Sequence, residues 1–158
     1  MWGLVGLTSA CLAGGEAARP VGLDEVARWL GEAGYSAVVE EGRVRWACTG
    51  EDGVAALATE EGGHLLRLRT NGLVRLDEAQ DSRHIVLLLT QLATSSHDVA
   101  WGGLSLEPEQ GEVIYRIDLP RHDGLGAPTV HAAAEQLCAG ASRLRPLLRR
   151  SASGELPR

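Results

Sequence analysis

The residues able to do nucleophilic or metal chemistry in this chain are few and widely spaced. The three cysteines are Cys11, Cys48 and Cys138, and the five histidines are His64, His84, His97, His122 and His131. Local metal sites use paired ligands, as in CxxC, HxH or HExxH, because that spacing brings two donors onto one turn or one helix face. None of these patterns occurs. His131 and Cys138 share one predicted helix, but at 1.5 Å per residue they stand roughly 10 Å apart along its axis, too far for a direct hydrogen bond or a shared ion. Cys138 also falls on that helix's apolar stripe, so a small buried hydrophobe is expected there. His97-Asp98 and His122-Asp123 set a carboxylate beside an imidazole at element ends, where polar loop residues are ordinary. The catalytic reading that survives is Cys48 or Cys138 activated by a histidine that only folding brings near.

Other chemistry is limited by residue type. Gly124-Leu125-Gly126 precedes a predicted helix, as a phosphate-binding turn would, but it lacks the third glycine of the dinucleotide fingerprint and follows no βαβ unit. Glu40-Glu41 and Glu60-Glu61 lie beside glycines in predicted turns, so they read as solvated carboxylates rather than a general acid/base pair. All 15 basic residues are arginine. Without lysine there is no Schiff base to pyridoxal phosphate or a carbonyl substrate, and no P-loop lysine. The expectation is a non-enzymatic chain with no cofactor, no metal, and no catalytic or cofactor-binding residue to assign.

Composition points the same way. At 158 residues and 44% hydrophobic, the chain has material for one packed core. A formal net charge of -6 opposes general attraction to nucleic acid or anionic membranes. Arg143, Arg145, Arg149 and Arg150 cluster behind a predicted helix, where they suit the negative end of its dipole and a solvated surface. The odd number and wide spacing of the cysteines give no sign of a disulfide framework, which fits a reducing cytoplasm. No stretch approaches the ~20 apolar residues that a membrane-spanning helix needs. Residues 1–20 read as an apolar extension. Leu7-Thr8-Ser9-Ala10-Cys11 has some likeness to a lipoprotein cleavage motif, but no basic residue precedes Arg19 and Gly3 and Gly6 break the run. Export is kept as the alternative.

The elements that must position any site follow from periodicity. Val26, Trp29, Leu30 and Ala33 recur at helical spacing after Asp24-Glu25, with Gly34 as the stop. Val44, Trp46 and Cys48 alternate as one face of a strand, so Cys48 is expected to face the core. Turns at Glu41-Gly42, Asp52-Gly53, Gly62-Gly63 and Asn71-Gly72 divide residues 36–76 into a meander: 36–40, 43–49, 54–59, 64–70 and a short 73–76. Behind the capping residues Asp81 and Ser82, the residues Ile85, Leu88, Leu89 and Leu92 predict a second helix. Val86 and Leu87 widen its apolar surface enough for a cover on two sides, the chain's own sheet and a partner. Segments 98–106 and 112–119 predict a hairpin, and Pro128 opens a last helix that Pro146 should end or kink. The fold class is α+β, an antiparallel sheet with helices packed on it. The domain should span 21–150, followed by a polar tail over 151–158.

With this element order, residues from Leu23 to about Leu148 resemble the YbjN family, which shares the fold of type III secretion chaperones. The resemblance rests on Ile85-Val86-Leu87-Leu88-Leu89, on Trp101 to Leu106, and on the strand Val113-Ile114-Tyr115-Arg116-Ile117-Asp118-Leu119-Pro120. Gly124-Leu125 and the alanine-rich helix through Pro146-Leu147-Leu148 complete it. It implies a homodimeric binding module without cofactor, a chaperone or regulatory adaptor that holds an extended segment of a protein partner by apolar pockets and edge-strand pairing. Leu88, Leu92, Trp101 and Tyr115, with Trp46, are the candidates for core or for a partner or dimer surface.

Overall fold

Alternation along two of the strand segments puts Val44 and Trp46, and Leu66 and Leu68, on one buried side, and a sheet that buries one face requires a second layer against it. A computed structural model describes residues 21–48, 51–58, 64–97, 101–121 and 124–154, with backbone alone at 51–52, 54–58 and 97. The elements run α1 (Leu23–Glu32), β1 (Ser36–Glu40), β2 (Arg43–Cys48), β3 (Glu51–Ala58), β4 (Leu65–Thr70), β5 (Val74–Arg75), a 3-10 turn (Leu76–Glu78), α2 (Ser82–His97), β6 (Gly103–Glu107), β7 (Glu112–Pro120) and α3 (Ala127–Ala152). This is the α+β class expected, although β3 starts earlier than its turn signals suggest and β6 starts later.

Every strand pair is antiparallel, in the order β1-β2-β3-β4-β7. β5 prolongs β4 along one flank of β7, and β6 pairs with the other flank. Where the chain passes from β4 to β5, the Tyr115 N–H donates to the Thr70 hydroxyl at 3.1 Å. That bond replaces a missing ladder partner and lets a threonine sit in the core.

Helices cover one face. α1 lies over β1 to β3, and α3 crosses β3, β4, β5 and β7. The α1 residues Val26, Trp29 and Leu30 are buried while Arg28 pairs with Glu32 (3.1 Å) and Glu25 (3.4 Å) in solvent. Gly34 ends the helix at φ +87°, a backbone conformation that glycine enters without a Cβ penalty, and the Tyr35 N–H returns to the Leu30 carbonyl at 3.0 Å. On α3 the stripe Val130, Ala133, Ala134, Leu137, Ala141, Leu144 and Leu148 is buried. Of the end or kink expected at Pro146, the end does not occur: α3 runs on to Ala152, with Ser151 and Ala152 buried. Proline here forfeits one N–H bond, and both its ring and Ser142, whose carbonyl would have accepted that bond, lie on the exposed side, so water replaces the loss.

Candidate protein-binding surface

α2 decides where the apolar surface lies. Its start is fixed by Asp81, whose carboxylate accepts the N–H groups of Arg83 (2.8 Å) and His84 (3.0 Å); these bonds, led by that of His84, hold the Asp81 carboxyl below the ordinary carboxylate range. The helix packs on α3 and touches β6. The inward side is the stripe His84, Leu88, Gln91 and Ser95, where the Gln91 amide donates to the Ser95 hydroxyl at 2.8 Å and gives that buried hydroxyl a partner. The apolar residues one step round the helix face outward: Val86 is 61% exposed, Leu89 43% and Ile85 36%, whereas Leu88 is fully buried. An apolar arc wider than the chain's own core can cover is therefore left in solvent.

The residues singled out from sequence divide between core and surface. Leu88, Tyr115 and Trp46 are buried in the chain's own core, and Leu92 packs partly against it. Trp101 is 37% exposed and, with Leu106, marks the edge formed by β6. Tyr115 and Trp101 are nevertheless linked, because the Tyr115 hydroxyl donates to the Trp101 carbonyl. Burial, ahead of every other influence, raises the Tyr115 pKa above its usual 10.0.

At the opposite edge, β1 pairs only with β2 among the described residues, and Val38 and Val39 are both exposed there. An edge strand presents a row of N–H and C=O groups on its outer side that another extended chain can use.

The candidate nucleophiles are placed differently from expectation. Cys48 at the end of β2 and Cys138 on α3 form a disulfide, with Cα atoms 5.7 Å apart and 90 residues between them. This corrects the reading of Cys138 as a small buried hydrophobe and of the cysteines as unpaired. Alternation had put Cys48 on the helix-facing side of β2, and α3 crosses the sheet there; no local spacing can show that meeting. A bridged sulfur is neither a thiolate nor a metal ligand, and the bridge also removes the redox argument for a reducing compartment. His131, one turn into α3, has its Nε2 2.6 Å from the Trp29 carbonyl and ties α3 to α1. His84 lies beside Asp81 at 3.4 Å. Among the described residues no three His, Cys, Asp or Glu side chains gather as a metal site. Gly126 accepts the N–H groups of Thr129 and Val130, the ordinary opening of a helix. Arg145 reaches the Gly72 carbonyl at 3.2 Å, so it is more than a solvated charge. Cys11, Glu60-Glu61, Asp98, His122-Asp123 and the side chain of His97 lie outside the described residues. No described helix is long and apolar enough to cross a membrane.

No family model and no curated protein sequence matches the chain. Solved structures do. The crystal structure of the ExsC–ExsE complex matches at TM-score 0.57 and 16% identity, over 79% of this chain and 91% of that one. The HopA1–SchA chaperone–effector complex matches at TM-score 0.52 and 17% identity, over 80% and 91%. YbjN from E. coli matches at TM-score 0.56 and 14% identity, over 88% of this chain and 100% of that one. At such identities the likeness is one of fold: the chain has the YbjN-like, chaperone-like fold that its residue pattern resembles.

Proposed function

We propose that this protein is a non-catalytic protein-binding module, chaperone-like or an adaptor, that works as a homodimer and holds an extended segment of another protein. The observation that carries the reading is the exposed apolar arc Ile85, Val86 and Leu89 on α2, which has no cover within the described chain. A monomeric protein gains nothing from such an arc, whereas a second copy or a client would bury it. The likeness to proteins solved in complex with a partner supports the same reading. Trp101 and Leu92 border this surface in the proposal, and the open edge of β1 is the place where an extended client adds a strand. Leu88 and Tyr115 contribute from beneath, by fixing α2 and Trp101. Bridged cysteines and a histidine engaged with a backbone carbonyl support the absence of catalysis.

Light scattering on the full chain tests the dimer, with Val86→Glu as the perturbation. A dimer that Val86→Glu converts to a folded monomer is expected; a monomeric wild-type protein that binds no extended peptide would end the reading. One observation favours a second reading of its location. The Cys48–Cys138 bridge fits an exported protein better than a cytoplasmic one, and thiol labelling in intact cells separates the two.

A further inference from the structure

The face of the sheet turned away from the helices carries a concentration of positive charge that the net charge of -6 conceals. Because Val44 and Trp46, Leu66 and Leu68, and Tyr115 and Ile117 are buried beneath the helices, their strand neighbours Arg43, Arg45, Arg67, Arg69 and Arg116 stand on the opposite face. The register orders them further. Successive pairs align Val38, Arg45, Val54, Arg69, Arg116 and Gly103 in one row across six strands. The adjacent row runs Glu40, Arg43, Ala56, Arg67 and Asp118.

The two rows differ in how their charges are met. In the second, Asp118 takes Arg67 in a two-pronged pair at 2.8 and 3.1 Å, and Glu40 stands at its other end. In the first row no acidic residue occurs. Arg45 and Arg116 approach the carboxylates of the neighbouring row only at 3.8 Å, and among the described residues Arg69 has no ion-pair partner. Arg69 also pairs directly with Arg116 across β4 and β7, an arrangement of like charges that costs stability in an isolated chain. Beyond Arg116 the row ends at Gly103, where a Cβ would meet nothing within 4 Å, and Ser105 lines the same hollow. That hollow places the Arg116 guanidinium and the Ser105 hydroxyl beside open space, with Asp118, which also lines it, already engaged by Arg67.

We propose that this arginine row is a docking surface for an acidic, extended polypeptide segment laid across the strands. Three strand spacings separate Arg45 from Arg116, roughly 14 Å, which matches carboxylates on one side of an extended peptide that advances ~3.3 Å per residue. The direction follows from charge: Glu107 and Glu112 face each other four residues along β7 from Arg116 and would repel an acidic segment running down that strand. A peptide fits better than nucleic acid. The aromatic residues of the described strands, Trp46 and Tyr115, face the helices, so the strands that carry the arginines offer a base no stacking partner on this face, and Glu40 and Asp118 flank the row.

The proposal rests on the protein-binding reading and names the chemistry of the partner. Its test uses fluorescence anisotropy on the full chain with peptides of alternating glutamate and threonine, about ten residues long and ample to cross the sheet. The matching glutamine–threonine peptide and single-stranded oligothymidine of equal length are the comparisons. The acidic peptide is expected to bind, more weakly as salt rises, and Arg69→Glu to weaken it about tenfold or more while Arg149→Glu, remote on α3, does not. Arg69→Glu should also keep or raise Tm, since it puts a carboxylate opposite Arg116, so lost binding will not reflect lost folding. Equal binding of the glutamine peptide, indifference to Arg69→Glu, or tighter binding of the oligonucleotide would each overturn the proposal. The two readings fail separately: if Val86→Glu abolishes dimerisation or client binding while Arg69→Glu changes nothing, protein binding stands and the arginine row falls.

Discussion

Gly140 of α3 rests against the ring of Tyr115 in β7, so closely that a Cβ at position 140 would lie 3.0 Å from Tyr115 Cδ1 and nearer still to Cε1. Helix and sheet meet at this point because one residue lacks a side chain and the other fills the space.

Gly140→Ala sets two effects against each other. Alanine favours a helix by about 1 kcal/mol over glycine, but forcing a methyl into a packed ring typically costs about 1–3 kcal/mol. The clash is with a buried ring that has no free direction to move, so a net loss of stability is expected, and Gly140→Val should lose more. Denaturant unfolding measures both. An alanine variant more stable than wild type would show that α3 does not approach the sheet as described.

The bridge between Cys48 and Cys138 closes a loop with a sequence separation of 90. In the chain-entropy account a loop of that size is worth up to about 4.6 kcal/mol. The double variant Cys48→Ser, Cys138→Ser should therefore melt well below the wild type, and a reductant should move wild type toward the variant while leaving the variant unchanged. Free thiols at both positions in protein purified without reductant would refute the bridge.

The Tyr115 hydroxyl, buried and bonded to the Trp101 carbonyl, titrates above 10.0 in the folded protein. Because the folded state holds the proton more tightly than the unfolded chain, the stabilisation is fully present below pH 10. It is lost as pH rises from there through the folded pKa. A stability curve that falls above pH 10 is expected, and Tyr115→Phe should flatten that limb while costing about 1 kcal/mol at neutral pH for the lost hydrogen bond. Ultraviolet titration of Tyr115 at an ordinary tyrosine pKa would contradict it. At the acid end Asp81 acts oppositely: its lowered pKa stabilises the start of α2 above the unfolded carboxylate pKa of 3.8, and that contribution disappears as pH falls through the folded value.

Leu88 and Leu89 are sequence neighbours with opposite fates, one fully buried and one largely in solvent. Leu88→Ala should cost about 2–5 kcal/mol by opening a cavity. Leu89→Ser should change monomer stability by about 0.5 kcal/mol or less and shift the protein from dimer toward monomer in sedimentation. If Leu89→Ser destabilises as Leu88→Ala does, α2 is rotated from the orientation described and its exposed arc does not exist.

The sequence by itself determined what could be read from period and residue type. Alternation in β2 set Val44 and Trp46 on one face and the helical stripe of α1 did the same for Val26, Trp29 and Leu30, all of them buried, because burial of one face imposes its period on the chain. The lack of lysine bounded the chemistry in the same direct way. Tertiary structure decided everything that depends on two distant segments meeting. The five residues of the Ile85–Leu89 run are all apolar, so their period could not say which of them α3 would cover, and Ile85 and Leu89 proved to face outward. Cys48 and Cys138 carry no mutual signal across 90 residues, and only the passage of α3 close to the end of β2 joins them. The arginine row is the clearest case. Arg45, Arg69 and Arg116 are unremarkable alternating residues in three separate strands, and strand register alone, set by backbone hydrogen bonds between distant segments, gathers them into one line.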